Sequence, residues 1–151
     1  MTDISDLKIW VANRFRSAGI LGRGNVWRLK GRGVQWVVHL DKAPCTGRLG
    51  VDIGLDLQSE TTPRLPTDCP ILTHLENMPF AGGFETTSAF DLRSPLSPDR
   101  RRAEVEGVVG ELARYVLNRA TLNDVRAAYF EGEFDSAFVL KEARELLEEK
   151  R

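Results

Sequence analysis

Cysteine is scarce in this chain. Cys45 and Cys69 are the only two in 151 residues, and they form no CxxC pair. Neither has a histidine at metal-ligand spacing, so a cysteine-based zinc site is not expected. Histidine is equally rare, with only His39 and His74, and neither has a second ligand in register. No apolar run approaches the roughly 20 residues that a helix needs to span a bilayer. No hydrophobic leader opens the chain, which points to the reducing cytoplasm, with both thiols free. A net charge of −1 gives no bulk bias toward nucleic acid or membrane. The glycines of "AGILGRGNVWRLKGRG" fit neither a Walker loop nor the G-x-G-x-x-G that follows a strand.

What the chain does have is an ordinary globular composition, 42% hydrophobic and 28% charged, with its charge unevenly spread. Between Leu7 and Val51 nine basic residues face one acid, a local net of +8. From Phe130 to Glu149 seven acids face two bases, a net of −5. The simplest account is that the two parts pack together and offset one another. A basic binding face is the functional counterpart.

Periodicity supplies the architecture. Ile4, Leu7, Val11, Phe15 and Ala18 recur at three- and four-residue steps, the apolar stripe of a helix capped by Thr2 or Asp3 and stopped by Gly19. Two runs rich in Val and Trp flank "KGRG", which reads as a hairpin turn. In the second run Val34, Trp36, Val38 and Leu40 alternate with Gln35, Val37, His39 and Asp41. Residues 47–58 alternate more strictly, with Leu49, Val51, Ile53, Leu55 and Leu57 on one side. An antiparallel meander of three to four strands with one buried face accounts for this.

After a polar, proline-marked loop, Asp68 and Pro70 open what reads as a short helix with Ile71, Leu72, Leu75 and Met78 inward. Residues 79–97 form an irregular connection with a short strand near Ser88–Leu92, folding over the sheet or forming a lip. Ser97 and Pro98 start a long helix, Thr121 starts a second, and Gly132 ends it. Asp135 or Ser136 caps a third. The expectation is a single α+β domain over residues 1–151, with helices packed on one sheet face.

The segment "GVDIG" at 50–54 invites two catalytic readings. A phosphate loop of the sugar-kinase type needs the strand to turn directly after the second glycine, and here "LDLQ" continues the alternation. A metal-dependent hydrolase or nuclease needs carboxylates converging within about 4 Å of shared ions. Asp52 and Asp56 share a face but lie roughly 13 Å apart along the strand. Such an enzyme would draw on His39, Asp41, Asp52 and Asp56. A nucleic-acid module would instead use the mixture of Trp27, Arg28, Lys30, Arg32 and Trp36. The triplet Arg100, Arg101 and Arg102 opens a helix where its dipole disfavours cations, so these side chains are expected in solvent or at a contact.

The helix ending at Gly19-Ile20, Trp27-Arg28, the strand Val37–Leu40, the strand Leu49–Leu55 and Asp68-Cys69-Pro70 together resemble the bacterial domain-of-unknown-function family 4304, over about residues 4–78. Asp52 stands where that family usually has Asn, and His74-Leu75 where it has Arg. The family has no established activity, so the resemblance implies a fold. The reading that follows is a non-enzymatic, cytoplasmic binding module with no cofactor, metal or catalytic residue. It would engage a protein such as a toxin or defence effector, in an immunity-like role. The contact residues would be Trp27, Arg28, Arg32, Trp36, His39 and Asp52, together with the 79–97 loop.

Overall fold

The computed structural model describes residues 2–42, 47–58 and 62–149; Cys45 lies outside them. The chain begins with helix α1 (Ile4–Ser17). Asp3 and Asp6 cap it reciprocally, each side chain accepting from the other's backbone N–H. Six strands follow in a continuous antiparallel meander whose spatial order is the sequence order. They are β1 (Leu21–Arg23), β2 (Val26–Lys30), β3 (Val34–Lys42), β4 (Leu49–Leu57), β5 (Ile71–His74) and β6 (Phe138–Val139). Between β5 and β6 come the short helix α2 (Thr86–Ala89), the long α3 (Pro98–Leu117) and α4 (Leu122–Phe130); α5 (Lys141–Leu147) closes the described chain.

The inner sheet face carries Trp27, Trp36, Val38, Leu40, Val51, Ile53 and Leu55, which join the stripes of α1 and α3 in one buried cluster. Leu7, Val11 and Phe15 from α1, and Val105, Val108, Val109 and Leu112 from α3, have no measurable exposure. The hydrophobic effect at about 25 cal/mol per Å² makes this layer the main source of stability. The α+β class and the helices on one sheet face are therefore as the periodicity requires.

Four local expectations change. Residues 71–74 form a strand rather than the start of a helix: Ile71 and Thr73 pair with Leu55 and Ile53 of β4. Both patterns bury Ile71, and the open edge of β4 decides between them, because it offers backbone partners that a one-turn helix cannot match. Near 88–92 the chain forms α2, and only the single bridge between Arg48 and Asp91 is strand-like. The last helix starts at Lys141, since Phe138 and Val139 pair with Leu72 and Ile71 of β5 before it. The sheet accordingly has six strands.

Polar groups tie α3 to the segments packed at its two ends. Arg101 is 3% exposed, and its guanidinium donates to the carbonyls of Ser88, Ala89, Asp91 and Ser94. Among the described residues no carboxylate pairs with it. Arg100 and Arg102 lie outside and pair with Glu85 and Glu106. The arginine triplet thus splits, its middle member serving as an internal clamp on the 79–97 connection. That connection also turns Phe80, Phe84 and Phe90 toward the core instead of forming a free lip.

At the far end of α3, Tyr115 and Arg119 both donate to the Glu133 carboxylate at 2.7 and 2.9 Å. Desolvation pushes the Glu133 carboxyl up, but the hydrogen bonds from Arg119 and Tyr115 outweigh it and hold the group below its ordinary value.

Gly31 and Gly33 of the β2–β3 turn have separate reasons. Gly33 takes φ +77, and a Cβ on Gly31 would lie 2.0 Å from the Ala120 carbonyl oxygen. The close approach lets the Arg32 N–H donate to Ala120 O and the Arg32 carbonyl accept from Leu122 N–H.

Candidate functional site

The outer sheet face is crossed by a strap, residues 62–70, over its middle. Gly54 is where the strap touches down: a Cβ there would lie 2.6 Å from Pro66 Cα and 2.7 Å from Cys69 Sγ. The second glycine of "GVDIG" is therefore a packing requirement, with no part in a phosphate loop. Gly54→Ala is expected to cost about 1–3 kcal/mol, as overpacking does. Urea denaturation would measure it, and faster proteolysis within 62–70 would show the strap lifting.

Arg28 fastens the same strap. Its guanidinium donates to the carbonyls of Pro63 and Arg64, the latter at 2.9 Å. Cys69 lies beneath with its thiol pushed up to about 12, first by burial and then by the charges of Asp56 and Asp68. A thiol so placed is protonated at neutral pH and a poor nucleophile.

Beside the strap one cross-strand row stays open. Strand register places Arg23 opposite Val26, Val26 opposite His39, His39 opposite Asp52 and Asp52 opposite His74. These five residues run side by side across β1 to β5. The His74 ring Nδ1–H donates to Asp52 Oδ1 at 2.7 Å, and His39 Nδ1 stands 3.9 Å from Asp52 Oδ2. Both histidines of the chain therefore flank one carboxylate. The side chains of His39 and Asp52 are each 24% exposed and that of His74 48%, so the row is accessible.

The six sequence-derived contact residues divide. His39 and Asp52 are brought together on this row. Trp27 and Trp36 are each 2% exposed and belong to the core, because their strand positions face the helices. Trp27 packs on Phe15 at 5.5 Å between ring centres, and Trp36 donates its indole N–H to the Arg119 carbonyl at 2.8 Å. Neither presents a surface to a partner. Arg28 is occupied by the strap. Arg32 is exposed, and it is its backbone that is engaged.

The carboxylates named for a hydrolase are not gathered either. Asp56 is buried at 8% and lies opposite Gln35, across the strap from Asp52; Asp41 is exposed opposite Gly50. Among the described residues no group of three His, Cys, Asp or Glu side chains is arranged to hold a metal ion. His74 was missed because the helical reading of 71–78 set it among apolar positions. The alternation of Ile71 and Thr73 with Leu72 and His74 was the available signal. Arg23 and Val26 were hidden for a related reason: short strands at a sheet edge carry little pattern.

No helix among the described residues is long and apolar enough to cross a membrane. Comparison with protein-family models, with curated proteins and with solved structures returns no match to this chain.

Proposed function

We propose that the chain is a non-enzymatic protein-binding module whose contact surface is the open row Arg23, Val26, His39, Asp52 and His74, acting in the cytoplasm in an immunity-like or regulatory role. The carrying observation is the row itself: five strands hold a cation, an aliphatic residue, a histidine, a carboxylate and a second histidine side by side, outside the strap. Side chains on a paired sheet are held in place, so little ordering entropy opposes their use in binding. The row is also chemically mixed, as contact surfaces are. Its acid is hydrogen-bonded to a neighbouring histidine and separated from the other strand carboxylates, which favours recognition over metal-assisted hydrolysis. Membership of family 4304 is proposed on the motifs alone.

A photo-crosslinking residue at position 26, in cells that natively carry the chain, tests this reading. A discrete crosslinked protein is expected from position 26, none from position 142 on the exposed side of α5, and none at position 26 once Asp52→Arg is introduced. Equal products from both positions, or a product that survives Asp52→Arg, would overturn it. A thermal shift with Mg²⁺, Mn²⁺ or Zn²⁺ that Asp52→Ala abolishes would favour the hydrolase instead.

A further inference from the structure

Next to Arg23 and Val26 the outer face opens into a groove of about 580 Å³, lined by Leu21, Gly22, Arg23, Val26, Arg28 and Lys30. Three of the six lining residues are cations, two are aliphatic, and none is acidic. Among the described residues no carboxylate forms an ion pair with Arg23, Arg28 or Lys30. Arg28 is held in place by the strap carbonyls, so one of the three charges is fixed in advance. Leu21 is 77% exposed, a large aliphatic side chain standing free beside these charges.

The backbone of β1 adds a second kind of contact. β1 ends the sheet on this side. It joins β2 through the two-residue turn Gly24-Asn25, with Gly24 at φ +63. In such a hairpin the closing pair, Arg23 and Val26, exchanges hydrogen bonds inward, so Gly22 directs its N–H and C=O outward. A Cβ on Gly22 would lie 2.3 Å from the Trp27 ring, so the edge at this point is bare backbone laid over an indole. An extended chain docking here finds backbone partners, an aliphatic contact and positive charge within three residues of β1.

We propose that the β1–β2 groove seats an acidic, extended segment of the protein partner, adding it to the β1 edge with an aliphatic side chain against Leu21 and its carboxylates toward Arg23 and Lys30. This rests on the outer face being the partner surface. Charge complementarity sets the sign of the ligand, and strand addition sets its shape. A nucleic-acid strand fits less well. Base stacking needs exposed aromatic rings, and Trp27 of this hairpin and Trp36 of β3 are both buried.

The test is fluorescence anisotropy with the full chain and a short labelled peptide of the pattern Glu-Ser-Val-Ser-Glu, which puts glutamate and valine on the same strand face. Saturable binding is expected, weakened about tenfold or more by the double variant Arg23→Glu with Lys30→Glu. A lysine–valine peptide should not bind. Absence of binding by the acidic peptide, equal binding by the lysine peptide, or no effect of the double variant would overturn the proposal. So would displacement of the acidic peptide by a thymidine oligonucleotide, which would transfer the groove to nucleic acid. Both substituted positions are exposed, and unchanged circular dichroism would show that the variant folds. If the position 26 crosslink persists in the double variant, the partner surface stands and only this chemistry fails.

Discussion

Arg101→Met is expected to destabilise the fold by about 3–4 kcal/mol, far more than either neighbouring substitution in the same triplet. Methionine keeps the aliphatic stem and removes the donors to Ser88, Ala89, Asp91 and Ser94. The Ser88 and Asp91 carbonyls also accept from the N–H groups of Asp91 and Ser94, so the acceptors bared by the substitution are chiefly those of Ala89 and Ser94. Each buried acceptor left bare costs roughly 1–3 kcal/mol, and partial relaxation keeps the total below the sum. Arg102→Ala removes an exposed i, i+4 pair with Glu106 and a contact over the Trp10 ring, and should cost about 1 kcal/mol or less. Arg100→Ala breaks an equally exposed pair with Glu85 and should cost about as little. Urea midpoints of the three variants check the contrast. Equal effects across the triplet would mean that Arg101 is not the clamp.

Trp36→Ala should cost about 3–5 kcal/mol, the range for removing a large buried aromatic side chain. The indole is 2% exposed, meets Tyr115 edge-on at 6.1 Å between ring centres, and donates to the Arg119 carbonyl. Its loss opens a cavity where β3 meets the end of α3, and it frees the backbone beside the Tyr115–Arg119–Glu133 cluster. Trp36→Phe should cost less, about 1–3 kcal/mol, with the unpaired Arg119 carbonyl and the smaller ring as its causes. Chemical denaturation measures both. The position 26 crosslink separates a core role from a contact role: the Trp36→Phe protein that remains folded should still give it. If Trp36→Phe left stability unchanged and abolished the crosslink, Trp36 would be a contact residue after all.

The two expectations share one lesson about arginine and tryptophan in a binding reading. Both residue types are enriched at contact surfaces, and both are used here to hold the molecule together. Arg28, Arg101, Trp27 and Trp36 all turn inward or onto the strap. In the proposed reading the contact groups are Arg23, Lys30, His39, Asp52 and His74, which composition alone does not single out.

What the amino-acid sequence determined by itself is local. The cap at Asp3, the Ser97-Pro98 start of α3, the Thr121 cap of α4 and the alternation of β4 each depend on residues within a few positions of one another. Helix and strand periods of 3.6 and 2 make such features visible in a single stretch. From them the α+β class and the single helical layer follow. Asp52 and His39 were also legible as neighbours, because a short hairpin-like meander leaves few choices of register. The tertiary structure alone decided the rest. His74 reaches Asp52 across 22 positions of sequence, and Arg28 reaches Pro63 across 35. Such pairings depend on which edge of β4 is free and on how closely the strap can approach a glycine, and no local window records either. "GVDIG" shows both halves of this division. Its alternation made it a strand on sight, whereas Gly54 as the seat of the strap and Asp52 as the carboxylate between two histidines emerged only when distant segments packed against it.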